Sequence, residues 1–345
     1  MTYRASDARY DAMQYRRSGK SGLKLPLVSL GLWQNFGGTR DYDSAFEILG
    51  YAFDNGITHF DLANNYGPPP GSSEELFGQV LARDFRPYRD EIIVSTKAGY
   101  NMWPGPYGEF GSKKYLIASL DQSLKRMGLD YVDIFYSHRY DPETPLEETM
   151  GALAQAVKQG KALYVGISSY PEEETRRAHA ILKDMGVPLT IHQPSYSILN
   201  RWIETDATIE ACGELGIGII AFSPLTQGVL SGKYSSGSRA HTRAENEKGS
   251  MRESHLQPHV LEAVERLRPI AEKRGQSLVQ LALSWVLRRP EMTSALIGVR
   301  NLDQLKDNLG VLKNLSLSQG EIGAIDQAVE DALIDLHPRP TGWLR

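Results

Sequence analysis

An acid, a phenol, an amine and an imidazole stand at or just past the C-terminal ends of short apolar runs: Asp61, Tyr66, Lys97 and His138. The runs are 59–63 (HFDLA), 92–97 (IIVSTK) and 131–138 (YVDIFYSH), and each reads as a buried strand. In parallel α/β architectures ligands gather at the carboxyl ends of the strands, so these four groups are expected to converge. Together they suit carbonyl reduction, in which a hydride arrives from one side and a proton must reach the oxygen as negative charge develops there. Tyr66 is the best proton donor on offer. A free phenol titrates near roughly 10, and an adjacent ammonium, Lys97, favours the phenolate and would draw that value towards neutrality. Asp61 would hold the ammonium charged and pointed at Tyr66, while His138 could donate a hydrogen bond to the substrate oxygen. Singly each residue has an ordinary structural use: Tyr66 could anchor the turn 67–70 (GPPP), and Lys97 could close a barrel rim by an ion pair. Four on successive strands argue for chemistry.

Strand-like runs recur at 28–33, 59–63, 92–96, 131–137, 162–167, 189–192, 218–222 and 295–299, eight in all. Between them apolar residues fall at helical spacing, as in Ala45, Ile48, Leu49, Ala52 and Phe53, or Leu146, Met150, Leu153 and Val157. This alternation predicts an α/β fold with a parallel sheet, and eight repeats predict closure into a barrel. Ser72-Ser73-Glu74-Glu75 resembles a capped helix start, and Gly56, Gly128, Gly160 and Gly186 punctuate helix ends. The irregular stretches 67–72, 99–111 and 225–257 all follow strand ends and are expected to be functional loops on one face. Helical segments at 258–274 and 277–288 precede the last strand, and a tail helix is expected near 318–333. The reading is one domain over 1–345, with its barrel core at about 25–332 and a polar N-terminal arm at 1–17.

The chain has 345 residues, 41% hydrophobic and 23% charged, a length that suits two ordinary domains or one large barrel with insertions. Its net charge of -4 gives no long-range field for nucleic acid or an anionic membrane, which leaves small molecules as the default ligands. The single cysteine, Cys212, cannot form an internal disulfide and reads as packing. The N-terminus lacks a secretory apolar segment, and no run approaches the roughly 20 residues needed to span a bilayer, so a soluble, cytoplasmic protein is expected. The eight histidines do not suggest a metal site: no His-x-His follows the first strand, and His255 and His259 flank a loop away from the four groups.

Asp61-Leu-Ala-Asn-Asn-Tyr66-Gly67, Ser95-Thr96-Lys97-Ala98-Gly99 and Ser137-His138 resemble the catalytic tetrad motifs of the aldo-keto reductases. The opening at Gly31 to Trp33, the pair Gly37-Gly38 and Ser223-Pro224-Leu225 are similar to the branch that contains potassium-channel β subunits. The resemblance implies a (β/α)8 TIM barrel and NADPH as hydride source, with Tyr66 as acid, Lys97 and Asp61 tuning it, and His138 orienting the carbonyl. The Pro68-Pro69-Pro70 run after Gly67 is longer than many members carry and bears on the shape of the substrate loop.

A nucleotide needs a cradle, and neither Gly-x-Gly-x-x-Gly nor a P-loop is present, since Gln14 stands where the upstream glycine before Gly19-Lys20-Ser21 would be. Ser168 and Ser169, His192-Gln193 and Ser223 place hydroxyl and amide groups at the ends of the fifth, sixth and seventh strands, where they can bond a carboxamide and a sugar. After the last strand, Gly298 to Asn308 opens a helix on which Gln304 and Asn308, spaced i and i+4, share a face for the adenine end. Arg300 and Lys233 are charged donors of the kind that pair with a 2'-phosphate, which favours NADPH over NADH. The resemblance carries Ser168, Gln193, Ser223, Leu225, Gly228 and Lys233 onto cofactor-contacting positions, and Trp33 onto the wall near the nicotinamide. The polar segment 231–257 is expected to be a flap over the pyrophosphate.

Trp33, Tyr66, Trp103, Tyr107, Phe110 and Tyr140 are candidates for an aromatic mouth, and Arg139, beside His138, or Arg345 for a cation that meets a phosphorylated triose. Short aldehydes, a triose phosphate and methylglyoxal among them, are the expected substrates. The alternative, from a different class, is a nucleotide-sensing regulatory subunit like the channel β proteins, which would bind NADPH with negligible turnover. Homotetramers or homo-octamers are expected by resemblance alone.

Overall fold

In the computed structural model, which describes residues 3–38, 40–234 and 253–336, the eight expected strands close into one parallel barrel. Its staves are β3 (Val28–Gly31), β4 (His59–Asp61), β5 (Ile93–Ala98), β6 (Val132–Ser137), β7 (Ala162–Ser168), β8 (Leu189–Gln193), β9 (Gly218–Phe222) and β10 (Met292–Ile297), with β10 pairing back onto β3. They are short and almost wholly buried because barrel closure leaves one face to the interior and the other to the helices. That outer layer holds α1 (Tyr42–Asp54), α2 (Ser72–Val80), α3 (Lys113–Met127), α4 (Leu146–Lys158), α5 (Glu172–Asp184), the short α6 (Trp202–Thr205) and α7 (Thr208–Leu215), α8 (Pro258–Lys273), α9 (Leu278–Val286) and α10 (Leu302–Leu309), followed by the tail helix α11 (Gln319–Ala328). Each turns an apolar stripe inwards, as α1 does with Ala45, Ile48, Leu49, Ala52 and Phe53.

The first stave ends at Gly31, two residues earlier than expected, so Trp33 lies in the turn beyond it. The segment read as an arm contains β1 (Tyr15–Arg17), which pairs antiparallel with β2 (Lys24–Pro26). This hairpin plugs the barrel floor: Leu23 and Leu25 join Ile134, Tyr136, Ile191, Ile220 and Leu296 in the interior apolar cluster. Arg16 fixes it by donating to the carbonyls of Leu287 (2.8 Å) and Met292 (2.9 Å). The capped start expected at Ser72 is also revised. The cap position is Gly71, at φ 91°, and no side chain caps the helix. Ser73 instead donates to the Leu32 carbonyl (2.9 Å), and the buried Glu74 accepts from Thr96 (2.5 Å) and Arg126 (2.7 Å), tying α2 to β5 and α3. Gly128, left-handed at φ 66°, ends α3 as expected. Cys212 is fully buried in α7. Among the described residues no helix is long and apolar enough to cross a membrane.

Candidate active site

Strand register brings the four chemical groups to one end of the barrel. Asp61 is the last residue of β4 and pairs with Ser95 of β5, so Lys97, two residues on and on the same face, reaches back over it. The Lys97 ammonium donates to Asp61 Oδ2 (2.5 Å), to the Leu62 carbonyl (2.7 Å) and to the Tyr66 hydroxyl (3.4 Å). Asp61 Oδ1 accepts from Ser95 Oγ (2.6 Å) and Gln193 Nε2 (3.1 Å). Asp61 and Lys97 are 0% exposed. Such a dry ion pair is tolerable only when the remaining donors and lone pairs are also bonded, and this one meets that condition.

Tyr66 is aimed by the turn that follows β4. Its carbonyl accepts from the backbone N–H groups of Gly71 (3.0 Å) and Ser73 (3.3 Å), and Ser72 Oγ donates to the Pro69 carbonyl (2.6 Å), so the proline run closes a tight loop under the ring. His138 follows β6, held by its N–H to the Ala98 carbonyl (2.9 Å). Its imidazole meets the Tyr66 ring edge-on with centroids 5.9 Å apart, and the Tyr100 ring at 4.7 Å. Trp33 flanks Tyr66 at 6.5 Å. These groups form one surface with a phenol hydroxyl, an imidazole and aromatic walls.

Burial pushes the Tyr66 phenol well above its usual range, and the Asp61 charge adds to that. Burial thus acts against the lowering expected from Lys97, whose ammonium stands 3.4 Å from the hydroxyl. Tyr66 holds its proton at neutral pH, the state a proton donor requires. Burial lowers Lys97, while the Asp61 carboxylate acts in the opposite sense.

The cradle positions lie on the other half of the rim, at the ends of β7 to β10. Ser168 Oγ donates to the Gln193 carbonyl (2.8 Å), and the Ser169 N–H reaches the same oxygen (3.2 Å) from a left-handed φ of 57°. Ser223 is likewise left-handed at φ 53°, and Leu225 and Gly228 follow in a tight turn. Gly228 has φ 96°, and a Cβ there would stand 3.0 Å from Lys233 Nζ, so the lysine arches directly over this glycine. Beyond β10, after Gly298, the Arg300 N–H donates to Gln304 Oε1 (2.9 Å), which turns the Gln304 side chain back on the helix start. Asn308 is buried, donates to the Gln304 carbonyl (2.5 Å) and leaves its Oδ1 without a partner; Gln227 Oε1 is likewise buried and unpartnered. The expected flap falls mostly outside the described residues, as does Arg345.

Two of the aromatics expected at the mouth also pack on neighbouring rings, Trp103 on Tyr115 (5.1 Å) and Tyr140 on Tyr170 (5.4 Å). Arg139 is already engaged. It donates to the Gly99 carbonyl (2.9 Å) and Glu109 (2.7 Å), with Phe110 (4.0 Å) and Tyr100 (4.6 Å) against its guanidinium. Sequence reasoning missed Tyr100, which touches both His138 and Arg139, and it missed Ser95 and His59. The signal for the last two was present: each stands two residues before a tetrad member and so shares its barrel-facing side. Among the described residues no three His, Cys, Asp or Glu side chains gather as metal ligands would.

Residues 27–330 match the profile of the Aldo/keto reductase family. The chain is 54% identical over 340 residues to L-glyceraldehyde 3-phosphate reductase of Escherichia coli K12, covering 97% of this chain and 98% of that protein. It is 35% identical over 302 residues to a probable voltage-gated potassium channel subunit beta of Arabidopsis thaliana, with 86% of this chain and 90% of that protein covered. A protein of the same description from Oryza sativa subsp. japonica is 34% identical over 334 residues, 95% and 99% of the two chains.

Proposed function

Because this chain belongs to the aldo/keto reductase family and is an oxidoreductase, we propose that it reduces short aldehydes to alcohols with NADPH, L-glyceraldehyde 3-phosphate and methylglyoxal among them. The observation that carries the reading is the buried Lys97 ammonium held between Asp61 Oδ2 and the Tyr66 hydroxyl. When bound, the dihydronicotinamide supplies the hydride. The chain does the rest. The aldehyde oxygen sits against the Tyr66 hydroxyl and His138, which donates a hydrogen bond and fixes the carbonyl plane. As charge builds on that oxygen, Tyr66 gives it a proton, and Lys97 stabilises the phenolate that remains. Asp61 keeps the ammonium charged and aimed. Placed acid catalysis of this kind contributes about 10²- to 10⁴-fold, and holding the reactants together contributes the remainder.

The residues on the β7 to β10 rim fit a nicotinamide dinucleotide. Ser168, Ser169, Gln193, Ser223 and Leu225 suit the carboxamide and sugar, with Asp61 and Trp33 beside the ring. The buried unpartnered Asn308 Oδ1 and Gln227 Oε1 are acceptors that need a donor. The missing side chain of Gly228 lets the Lys233 ammonium close on this turn, where it suits a pyrophosphate, and Gly298, Arg300, Gln304 and Asn308 suit the adenosine end. Lys233 and Arg300 are the cations for a 2'-phosphate, which is why NADPH is preferred to NADH.

Arg139 is proposed as the cation for a substrate phosphate, exchanging Glu109 for it. Arg139→Met should raise KM for L-glyceraldehyde 3-phosphate about tenfold or more and leave KM for methylglyoxal near the parent value, because only the former brings a dianion to the guanidinium. Equal effects on both aldehydes would remove Arg139 from substrate binding. The relationship to channel β subunits keeps a sensor reading open to test, and the complete tetrad favours the enzyme. A panel of aldehydes with NADPH and NADH decides: negligible turnover with tight NADPH binding would favour the sensor. A cytoplasmic site of action and a tetrameric or octameric assembly are parts of the same proposal, which gel filtration and light scattering address for the assembly.

A further inference from the structure

A second set of polar groups runs through the barrel interior behind the tetrad. Ser294 Oγ of β10 lies 2.7 Å from Ser29 Oγ of β3, which lies 3.0 Å from His59 Nδ1 of β4. His59 Nε2 lies 2.9 Å from Ser95 Oγ of β5, and Ser95 Oγ lies 2.6 Å from Asp61 Oδ1. All of these residues are buried.

Counting protons from Asp61 outwards fixes the direction of each bond as far as Ser29. Asp61, paired with Lys97, is a carboxylate and can only accept, so the one hydroxyl proton of Ser95 goes to Asp61. Ser95 must then accept from His59, which places a proton on Nε2. Burial holds His59 down to about 4, so the ring is neutral near pH 7 and its Nδ1 is an acceptor. Ser29 therefore donates to Nδ1 and accepts from Ser294 at 2.7 Å, a shorter contact than the 3.4 Å from Ser294 Oγ to the Leu27 carbonyl. The donors all point one way, towards Asp61. The opposite tautomer would take the Ser95 proton for itself and remove one of the two hydrogen bonds on Asp61 Oδ1.

We infer that His59 is a positioning residue for aldehyde reduction: its Nε2–H commits the Ser95 hydroxyl to Asp61, which keeps the carboxylate unprotonated and Lys97 cationic beside Tyr66. The inference rests on the reading of the site as a reductase centre. The charged groups that act on His59 are Asp61 and Lys97; the side chains that bond it, Ser29 and Ser95, are neutral. Without the Ser95 bond, Asp61 becomes the better base and can draw the proton from Lys97 in this dry pocket, which leaves Tyr66 facing a neutral amine. The phenol then becomes a weaker acid.

Two substitutions separate this role from packing. In His59→Gln the amide nitrogen occupies the Nε2 position and can still donate to Ser95. In His59→Asn it occupies the Nδ1 position and cannot. The expectation for His59→Gln is a kcat within about threefold of the parent and an unmoved alkaline limb in the pH profile of kcat/KM. For His59→Asn it is a kcat lower by about tenfold or more, an alkaline limb moved to higher pH and NADPH affinity within about twofold of the parent. Should His59→Asn not fold, Ser95→Ala carries the same expectation. Nitrogen-15 NMR of the parent enzyme supplies the tautomer directly, with the proton expected on Nε2 at neutral pH. Two active-site variants with the same kcat and pH profile, or a proton found on Nδ1, would overturn the inference while leaving the reductase reading intact. A parent enzyme that reduces no aldehyde would overturn both.

Discussion

Lys97 meets a steep electrostatic demand, because an ammonium that is 0% exposed is sustained by one carboxylate, one carbonyl and one phenol. Lys97→Met removes the cation and leaves Asp61 buried without its counter-charge. Loss of one partner from such a pair typically costs about 3–5 kcal/mol, and the variant should show it as a lowered unfolding midpoint. The sign of the kinetic effect follows from the phenol: without a nearby positive charge the phenolate is less favoured, so any residual activity should have its alkaline limb at higher pH than the parent. An unchanged pH profile would separate the lysine from proton transfer. At this scale the sequence was informative where a polar side chain interrupts or ends an apolar run, as Asp61, Lys97 and His138 do. For His59 and Ser95 it gave only their face, two residues before Asp61 and Lys97, and for Ser29 not even that. Small polar residues inside a doubly buried strand follow no alternation, so nothing distinguishes a working hydroxyl from a filler. The engagement of Arg139 by Glu109 was equally hidden, since the partner lies in a loop thirty residues earlier.

The staves of the barrel divide the work between two halves of one rim. Those from β4 to β6 present the tetrad, and those from β7 to β10 end in the left-handed turns and unpartnered acceptors of the proposed cofactor cradle. Between them sits Gly166 of β7, whose lack of a side chain lets the Tyr136 ring lie beneath Lys97 at 5.6 Å. A Cβ at this position would stand 2.4 Å from Tyr136 Cε1 and 2.9 Å from Ile191 Cγ2, closer than either can relax without moving a strand. Gly166→Ala should therefore destabilise by about 1–3 kcal/mol and lower kcat together, as overpacking displaces Tyr136 against the ammonium. Thermal unfolding and steady-state rates check this, and an alanine variant with parental values in both would show that the interior has slack. The alternation of strand and helix was legible because each stave is an unbroken apolar run and each helix carries an apolar stripe. The hairpin of β1 and β2 was not, since its three-residue strands sit in a polar stretch and its plug residues, Leu23 and Leu25, show no periodicity of their own. Nor was the role of Glu74: four residues that read as a helix start gave no sign that one would be buried between β5 and α3.

For the molecule as a whole, the interior histidines set a limit on acid tolerance. Burial lowers His59 to about 4 and His192 to about 3 from 6.5. Both rings are neutral in folded and unfolded chains above pH 6.5, so neither affects stability there. Below that value the unfolded chain takes up protons that the folded chain refuses, and stability falls until the pH reaches the folded values. Across its full window His59 is worth roughly 3 kcal/mol and His192 roughly 5, enough to lower the unfolding midpoint markedly between pH 7 and pH 4.5. A midpoint that stays flat over this range would mean that the histidines are accessible to protons in the native state. Closure of the barrel is what creates both this liability and the dry pocket in which a phenol keeps its proton beside an ammonium. The most direct test of the account is Tyr66→Phe, assayed for NADPH oxidation with methylglyoxal and L-glyceraldehyde 3-phosphate alongside fluorescence titration of NADPH. The substitution deletes one hydroxyl and keeps the ring, so turnover should fall by about 10²-fold or more while cofactor affinity stays within about twofold of the parent. Turnover close to that of the parent would contradict the assignment of Tyr66 as the acid.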